Sequence, residues 1–164
     1  MITQKMKYAL QALLVLADEA AKGAPEPLTI EEIAKRSGTP KRFLEHILLE
    51  VRNAGVIASI RGRSGGYLLV KKPGEVSISE LLRTIDGPIA PLPCLSRRAY
   101  QRCEDCSDEV TCRIRKMFAE VFWSYLLIIE SLTLADMLRQ VERPEPTRAT
   151  EATAAMITQT SDIL

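Results

Sequence analysis

The sequence is poor in several residue types, and each shortage narrows what the protein can do. It contains one histidine, His46, and its net charge is only +1. With no second histidine and no nucleophile-elbow motif, a Ser/His or Cys/His hydrolase lacks its partners, so we predict that the protein is not an enzyme. With so little net charge, any binding of nucleic acid must depend on a local basic patch.

Long apolar runs are also missing. Residues 121–129 form the most apolar stretch away from the N-terminus, far short of the roughly 20 residues that a membrane-spanning helix needs. Residues 8–17 follow two lysines as in a secretion signal, but two acidic residues come next and no cleavage site is recognisable. We therefore expect a cytoplasmic protein with no membrane partner, where clustered cysteines favour metal or redox chemistry over disulfides.

In a chain of 164 residues, cysteine is confined to the stretch 94–112, which contains Cys94, Cys103, Cys106 and Cys112. Thiols that share a ligand cluster in this way. An iron–sulfur cluster needs about four ligands and tolerates irregular spacing. A structural zinc site would also accept four cysteines, although only Cys103 and Cys106 form the usual C-x₂-C pair. A metal-free thiol switch needs only two neighbouring cysteines, so three explanations stay open.

The N-terminal half has the pattern of a helix-turn-helix. Residues 4–21 predict an amphipathic helix, and Thr29 with Glu32 forms a capping box that opens a second helix. After the turn at residues 37–40, a third helix is predicted from Pro40 to about Asn53, with Thr39 as its N-cap and Gly55 closing it. Its predicted inner face is Phe43, Leu44, Ile47, Leu48 and Val51, and its outer face is Lys41, Arg42, Glu45, His46 and Arg52.

Two β-type runs follow and predict a hairpin with a basic tip. Residues 56–60 and 67–70 flank the sequence Arg-Gly-Arg-Ser-Gly-Gly at positions 61–66. Glycines allow such a tip to approach a phosphate backbone, and arginines reach phosphates or a narrow minor groove. Between Lys35 and Arg63 there are seven Lys or Arg residues against two Glu, so the basic patch lies here and the hairpin is interpreted as a wing.

The second half predicts a connector, a long helix and a tail. Ser77 and Glu80 indicate a second capping box, and three prolines then lead into the cysteine loop. The long helix has a heptad-like apolar seam that favours packing against a partner helix, namely Ile114, Phe118, Val121, Tyr125, Ile128, Leu132 and Ala135. We expect four parts: a winged helix-turn-helix domain at 1–87, a cysteine-rich loop at 88–112, a dimerisation helix at 113–142 and a disordered tail at 143–164. The fold class is mainly α with a small β-hairpin.

These motifs together resemble the bacterial winged-helix family of the iron–sulfur cluster biogenesis regulator and the nitric-oxide-sensitive repressor, the Rrf-two family. The resemblance covers about residues 1–140. It rests on residues 7–10, 43–45 and 54–56, on the wing at 61–69, and on Cys106-x₅-Cys112 before the long helix. It implies a homodimer with crossing long helices that binds an inverted repeat in double-stranded DNA, and a cluster held in the loop.

The resemblance also implies roles for individual residues. Arg42 and Glu45 correspond to base-reading positions and Arg61 to the groove contact of the wing. The DNA-binding set is completed by Thr39, Lys41, Arg63, Ser64, Gly65 and Tyr67.

The loop departs from the family pattern. Many members have three cysteines and take a fourth ligand from an acidic residue before the N-terminal tyrosine, which is Lys7 here, or from a histidine after the last cysteine, which is absent here. Cys103 would instead complete an all-cysteine site with Cys94, Cys106 and Cys112. Whether the cluster has two or four irons stays open.

We therefore expect a DNA-binding transcriptional regulator, with a repressor favoured over an activator. Its operator affinity is expected to be controlled by an iron–sulfur cluster that senses redox state, iron or nitric oxide. The alternatives are a metal-free thiol-switch regulator and a zinc-stabilised protein-interaction module.

Overall fold

A computed structural model describes residues 2–139, which form six α-helices, one β-hairpin and two short 3₁₀ turns. The elements in chain order are α1 Gln4–Ala20, α2 Ile30–Ser37, α3 Lys41–Asn53, β1 Ile57–Ile60, β2 Gly66–Leu69, α4 Ile78–Ile85, α5 Arg113–Ser131 and α6 Leu134–Arg139. The 3₁₀ turns are Pro73–Glu75 and Pro93–Leu95. The predicted class, mainly α with a small β-hairpin, is confirmed.

Helix α1 lies at the centre of the core. Thr3 caps it by accepting a hydrogen bond from the Met6 amide, and its apolar stripe is buried at Met6, Leu13 and Leu16. Helices α2, α3 and α4 all pack against α1. Because one helix contacts the other three, the orientation of the DNA-binding elements depends on this single apolar stripe.

The predicted capping box at the start of α2 is confirmed. Thr29 Oγ1 accepts a hydrogen bond from the Glu32 amide, and the Glu32 carboxylate accepts one from the Thr29 amide. Gly38 ends the helix with a φ of 67°, a left-handed conformation that suits glycine. The turn from α2 to α3 therefore has the geometry of a helix-turn-helix.

The hairpin pairs β1 with β2 in antiparallel register, with Ile57 opposite Leu69 and Ile60 opposite Gly66. Leu28, just before α2, forms a further antiparallel bridge with Tyr67, with backbone N–O distances of 3.0 Å and 2.8 Å. The hairpin is thus joined to the helix-turn-helix by backbone hydrogen bonds, as expected for a wing.

The second predicted capping box is only half formed. Ser77 Oγ accepts a hydrogen bond from the Glu80 amide, but the Glu80 carboxylate accepts hydrogen bonds from Arg83 and Arg98 instead of returning to Ser77. The sequence pattern could not reveal this, because Arg98 is distant in the chain.

The prediction of one continuous helix from residue 113 to about residue 141 is wrong. Helix α5 ends at Ser131, and Leu132 is extended, with φ −83° and ψ 138°. The Leu132 carbonyl accepts a hydrogen bond from the Ile78 amide, and the Leu134 amide donates one to the Val76 carbonyl. Thr133 and Asp136 then cap α6. The two backbone hydrogen bonds and this cap stabilise the break more than a continued helix would, and they bring the chain back beside the start of α4.

None of the helices within residues 2–139 is both long enough and apolar enough to cross a membrane. The predicted disordered tail at 143–164 lies outside the described residues.

Candidate nucleic-acid interface and cysteine loop

Helix α3 presents one buried face and one polar face. Leu44, Ile47, Leu48 and Val51 are buried, whereas Arg42, Glu45 and His46 are exposed. The helix begins at Lys41 with Pro40 at its N-cap, where no side chain caps the amides. The predicted outer face of the helix is therefore available to a ligand.

Phe43 does not belong to the inner face, contrary to the prediction. Its side chain is 42% exposed, and its ring lies against Tyr8 of α1 with centroids 5.6 Å apart. The Arg42 guanidinium lies 4.8 Å from the centre of the Phe43 ring. Such a cation–π contact restrains the arginine without neutralising its charge.

Two residues of the expected DNA-binding set are less available than the sequence suggests. Thr39 is only 2% exposed, and its hydroxyl lies 3.4 Å from Gln11 Oε1. Its predicted role as N-cap is wrong, because Pro40 holds that position, whereas its DNA contact stays a prediction. Lys41 forms an ion pair with Glu31. This hydrogen bond raises the pKa of Lys41 and lowers the pKa of Glu31, so the positive charge is partly compensated.

The wing tip is a tight turn whose conformation requires glycine at specific points. Gly62 has a φ of 118°, and the Gly65 amide donates a 3.0 Å hydrogen bond to the Gly62 carbonyl. A Cβ at position 65 would lie 2.5 Å from the Ile60 carbonyl oxygen, closer than van der Waals contact allows. Arg61, Arg63 and Ser64 are exposed around this turn.

Tyr67 occupies a different place from the rest of the expected set. It lies on β2, is partly buried and pairs through its backbone with Leu28. Arg42, Arg61 and Arg63, in contrast, form no ion pair within residues 2–139. Within residues 2–139 these three guanidinium groups, together with Arg52 near the end of α3, are positive charges of the α3 and wing surface without an ion-pair partner.

The cysteine loop begins in the core and ends at α5. Cys94 lies in the second 3₁₀ turn and is 5% exposed, while Cys103, Cys106 and Cys112 are partly buried and all four are free. The Gln101 amide donates a 3.3 Å hydrogen bond to the Pro93 carbonyl. This contact brings Gln101 back beside the 3₁₀ turn that contains Cys94.

The thiols influence one another most strongly as two pairs, Cys94 with Cys103 and Cys106 with Cys112, although the charge of Cys106 also acts on Cys103. Burial, and then a hydrogen bond with the Cys94 thiol, raise the pKa of Cys103. Burial, and then the charge and hydrogen bonding of Cys112, raise the pKa of Cys106. Cys112 Sγ also caps α5 by accepting a 3.4 Å hydrogen bond from the Arg115 amide. The second pair is therefore attached directly to the first turn of α5.

The two pairs do not converge on one point. Within residues 2–139, no group of three or more histidine, cysteine, aspartate or glutamate side chains is arranged to hold a metal ion. Whether the four cysteines ligate a cluster together stays a prediction.

Arginines hold the loop against the helices behind it. Arg115 Nη2 donates a 3.4 Å hydrogen bond to the Cys94 carbonyl. Arg97 lies over the ring of Trp123, and Arg98 pairs with Glu80. The roles of Arg97 and Arg98 were not predicted, although two adjacent arginines, three and four residues after Cys94 and ahead of four acidic residues of the loop, were a usable signal.

The predicted helical seam on α5 is largely exposed in the single chain. Ile114, Val121 and Ile128 are 61%, 70% and 63% exposed, whereas Phe122, Leu126 and Ile129 on the adjoining face are buried in the core. An exposed apolar stripe of this length marks an interaction surface.

Comparison with known proteins identifies similar chains. Residues 2–140 match the Rrf2 family, described as iron-dependent transcriptional regulators. An Rrf2-like helix-turn-helix transcriptional regulator of Rhodobacter capsulatus is 78% identical over 138 residues, which cover 84% of this chain and 92% of that protein.

Solved structures show the same architecture. The global cysteine regulator CymR of Bacillus subtilis has a TM-score of 0.66 at 26% identity, over 84% of this chain and 95% of that chain. The IscR structure from T. potens has a TM-score of 0.64 at 25% identity, over 93% and 96% of the two chains.

Proposed function

Because the chain belongs to the Rrf2 family of transcriptional regulators, we propose that it acts as a homodimer on an inverted-repeat operator, with an affinity set by an iron–sulfur cluster in its cysteine loop. Helix α3 and the wing contact DNA, and the exposed seam of α5 joins the two protomers. The relatives are named as regulators, and no catalytic role is proposed.

The uncompensated arginines are the observation that carries DNA binding. Arg42 on α3 and Arg61 and Arg63 on the wing are exposed, and the backbone bridge between Leu28 and Tyr67 fixes the wing relative to the helix-turn-helix. Helix α3 suits the major groove, where Arg42 and Glu45 reach base edges, while the wing arginines suit phosphates or the minor groove. Ser64 and the Gly65 backbone complete the wing contact, and Lys41 contributes if DNA displaces Glu31.

The loop supplies a donor set that suits an iron–sulfur cluster. Each iron of a two-iron cluster takes two protein ligands, so the four free cysteines of the loop match this requirement in number. The Rrf2 family is described as iron-dependent transcriptional regulators, which supports an iron-containing group, whereas CymR of Bacillus subtilis is described as a global cysteine regulator. When bound, such a group would supply one-electron chemistry and reactivity toward oxygen or nitric oxide.

The chain's own residues would convert loop occupancy into a change at the helix. Cys112 caps α5 through its sulfur, and Arg115 connects the same turn to the Cys94 carbonyl. A change in either sulfur pair therefore alters the first turn of α5, the helix that carries the seam. Only a few kcal/mol of difference between two arrangements are needed to shift DNA occupancy strongly.

A metal-free thiol switch is the second candidate, favoured by the pairing itself. Two neighbouring thiols are sufficient for such a switch, and the chain is similar in structure to a cysteine regulator. A structural zinc ion would require four thiolates around one atom, usually from two C-x₂-C pairs, and only Cys103 and Cys106 have that spacing.

Anaerobic purification tests the proposal. The operator is first selected from a random duplex library, where an enriched inverted repeat is expected. Iron, acid-labile sulfide and visible absorption are then measured with operator affinity, before and after exposure to air. Iron and sulfide in equal amounts, lost in air with a change in affinity, support the cluster. A colourless protein whose affinity changes only with thiol oxidation supports the switch.

Single substitutions identify the ligands. Cys103→Ser is expected to lower the iron content as much as Cys106→Ser, since both pairs are needed. Ser107→Ala, an exposed loop residue, is the matched control and should retain full iron. Full iron in the Cys103→Ser protein would remove Cys103 from the proposed ligand set.

A further inference from the structure

The cysteine loop is attached to α4 by a two-bond ion pair. Arg98 Nη1 donates to Glu80 Oε2 at 3.1 Å, and Arg98 Nη2 donates to Glu80 Oε1 at 2.9 Å. This bidentate geometry fixes direction as well as distance. Arg98 is the chief cause of the lowered pKa of Glu80, so the carboxylate stays charged at neutral pH.

The pair continues into a chain of alternating charges. Arg83 Nη1 donates to Glu80 Oε1 at 3.0 Å, and Arg83 Nη2 donates to Glu130 Oε1 at 2.6 Å. Arg83 is only 15% exposed at its side chain. Arg98, Glu80, Arg83 and Glu130 therefore link the cysteine loop, the first turn of α4 and the far end of α5.

The neighbouring arginine makes a separate contact with α5. The Arg97 guanidinium lies 4.7 Å from the centre of the Trp123 ring, and this ring packs on Phe122 at 5.2 Å between centroids. Phe122 is buried in the core. Trp123 is the only tryptophan of the chain, so its fluorescence reports this contact without interference.

The positions of these contacts indicate what they do. Arg97 and Arg98 follow Cys94 by three and four residues, and α4 packs against α3, the DNA-facing helix. Exposed ion pairs add at most about 1 kcal/mol to stability, so these contacts matter little for holding the fold. They are, however, direct links from the loop to the helices on either side, in addition to the contacts of Arg115 with Cys94 and Cys112.

We propose that Arg97 and Arg98 are positioning residues that couple the state of the cysteine loop to DNA affinity, Arg98 through Glu80 on α4 and Arg97 through Trp123 on α5. The inference rests on the proposed function, since it assumes that the loop state controls operator affinity.

The experiment compares two loop states in the full-length chain purified without oxygen. One sample is measured as isolated. The other is exposed to air and then treated with methyl methanethiosulfonate, whose sulfenyl sulfur bonds to each cysteine sulfur while methanesulfinate leaves. Mass spectrometry confirms that all four cysteines are capped, and circular dichroism confirms that the fold is retained. The measured quantity is the ratio of operator Kd values between the two states.

The expected ratio for the unaltered chain is about tenfold or more, within the range of coupling seen between sites. Arg98→Ala and Glu80→Gln should both reduce the ratio to less than about threefold, with the as-isolated affinity retained within about twofold. Arg98→Lys keeps the charge but not the bidentate geometry and should restore part of the ratio. Arg113→Ala, an exposed arginine at the start of α5, is the matched control and should leave the ratio unchanged.

Trp123 fluorescence gives a readout that does not depend on DNA. Its emission should change when the cysteines are capped in the unaltered chain and in Arg113→Ala, but not in Arg97→Ala. The Kd ratio should also fall in Arg97→Ala.

The possible failures can be told apart. If capping leaves the affinity of the unaltered chain unchanged, loop control itself is wrong and the coupling falls with it. If capping changes the operator Kd of the unaltered chain, and changes that of Arg98→Ala and Glu80→Gln by the same factor, the coupling through Arg98 is overturned while the proposed function stands.

Discussion

Positive residues on α3 and the wing differ in whether their charge is already compensated. Lys41 is paired with Glu31, whereas Arg42 and Arg61 are exposed and free of ion pairs within the described part of the chain. DNA binding gains most where cations have no competing partner and release counterions from phosphates. The two arginines should therefore contribute more to affinity than the lysine.

Replacing either arginine by alanine should weaken operator binding. A lost base or phosphate contact costs about 1–3 kcal/mol, so Arg42→Ala and Arg61→Ala should each raise Kd by roughly 5- to 150-fold. Loss of a phosphate contact should also reduce the dependence of log Kd on log salt by about one per protomer. Fluorescence anisotropy at several salt concentrations measures both effects. Lys116→Ala on the exposed side of α5 is the control, and equal affinities for all four proteins would refute the assignment.

Gly66 has a packing role that its sequence position alone does not reveal. A Cβ there would lie 2.5 Å from the Leu28 carbonyl oxygen, which belongs to the backbone bridge between the wing and the segment before α2. Neither partner can yield without breaking the bridge. Gly66→Ala should lower the free energy of unfolding by about 1–3 kcal/mol, measured by urea denaturation.

Gly74→Ala is the matched control for this substitution. A Cβ at position 74 meets no atom within 4 Å, so its effect should stay within about 0.5 kcal/mol of zero. If the two alanine variants unfold at the same urea concentration, the close approach at Gly66 has no energetic consequence.

Among the elements, α6 depends most clearly on a single cap. Asp136 accepts hydrogen bonds from the Thr133 amide and hydroxyl. The pKa of Asp136 is lowered from its ordinary 3.8 to about 2. The largest cause is the hydrogen bond from the Thr133 side chain, followed by those from the Thr133 amide and from Arg139. Since the folded-state pKa is depressed, the stabilisation is present above pH 4 and is lost as the pH falls toward 2.

Asp136→Asn should therefore destabilise the protein in a pH-dependent way. The urea midpoint should be lower than that of the unaltered chain at pH 7, and the difference should shrink between pH 4 and pH 2. Glu120→Gln, exposed on α5, should follow the unaltered chain at every pH. A difference that is constant from pH 7 to pH 2 would show that the charge of Asp136 is not what stabilises the cap.

Local sequence patterns predicted most elements because the causes of those elements are local. Thr29 and Glu32 satisfy each other's backbone within one turn, and Gly55 adopts the left-handed conformation, with φ 70°, that ends α3. Phe43 was placed wrongly because helical spacing puts it at the margin of the apolar face, and only the position of Tyr8 decides its exposure. The break at Leu132 depends on hydrogen bonds to Val76 and Ile78, although Thr133 and Asp136 carry a capping pattern that was not used.

The residues of the candidate site also differ in whether local sequence or tertiary packing determines their exposure. Arg42, Glu45 and the wing arginines were predictable because helix periodicity and glycine-rich turns determine exposure. The burial of Thr39 was not predictable, because it results from packing against α1. Likewise, the pairing of Cys94 with Cys103 depends on the loop folding back at Gln101, which spacing alone does not give.

At the scale of the whole molecule, the exposed seam of α5 predicts the oligomeric state. Val121 is 70% exposed in the single chain, and a charge there would be buried without a partner in a helix-on-helix dimer, at a cost of several kcal/mol. Val121→Glu should yield monomers in sedimentation equilibrium and weaken operator binding at least about tenfold, since two half-sites must be held together.

Leu127→Glu provides the comparison for this substitution. Leu127 is 73% exposed but lies outside the seam series, so the variant should stay dimeric and bind DNA normally. Monomers in both variants, or in neither, would contradict the assignment of the interface to the seam.

The hydrogen bonds from Ile78 to Leu132 and from Leu134 to Val76 hold the end of α5 beside the start of α4. The segment between these anchors comprises α4, which packs on α1 and α3, the cysteine loop and α5. Because both ends of this segment are anchored side by side, the cysteine loop at residues 88–112 can change in length or chemistry while these hydrogen bonds stay in place. Transplanting only residues 88–112 from a relative, which leaves α4 and its packing on α1 and α3 in place, should therefore alter what is sensed while preserving which DNA is bound.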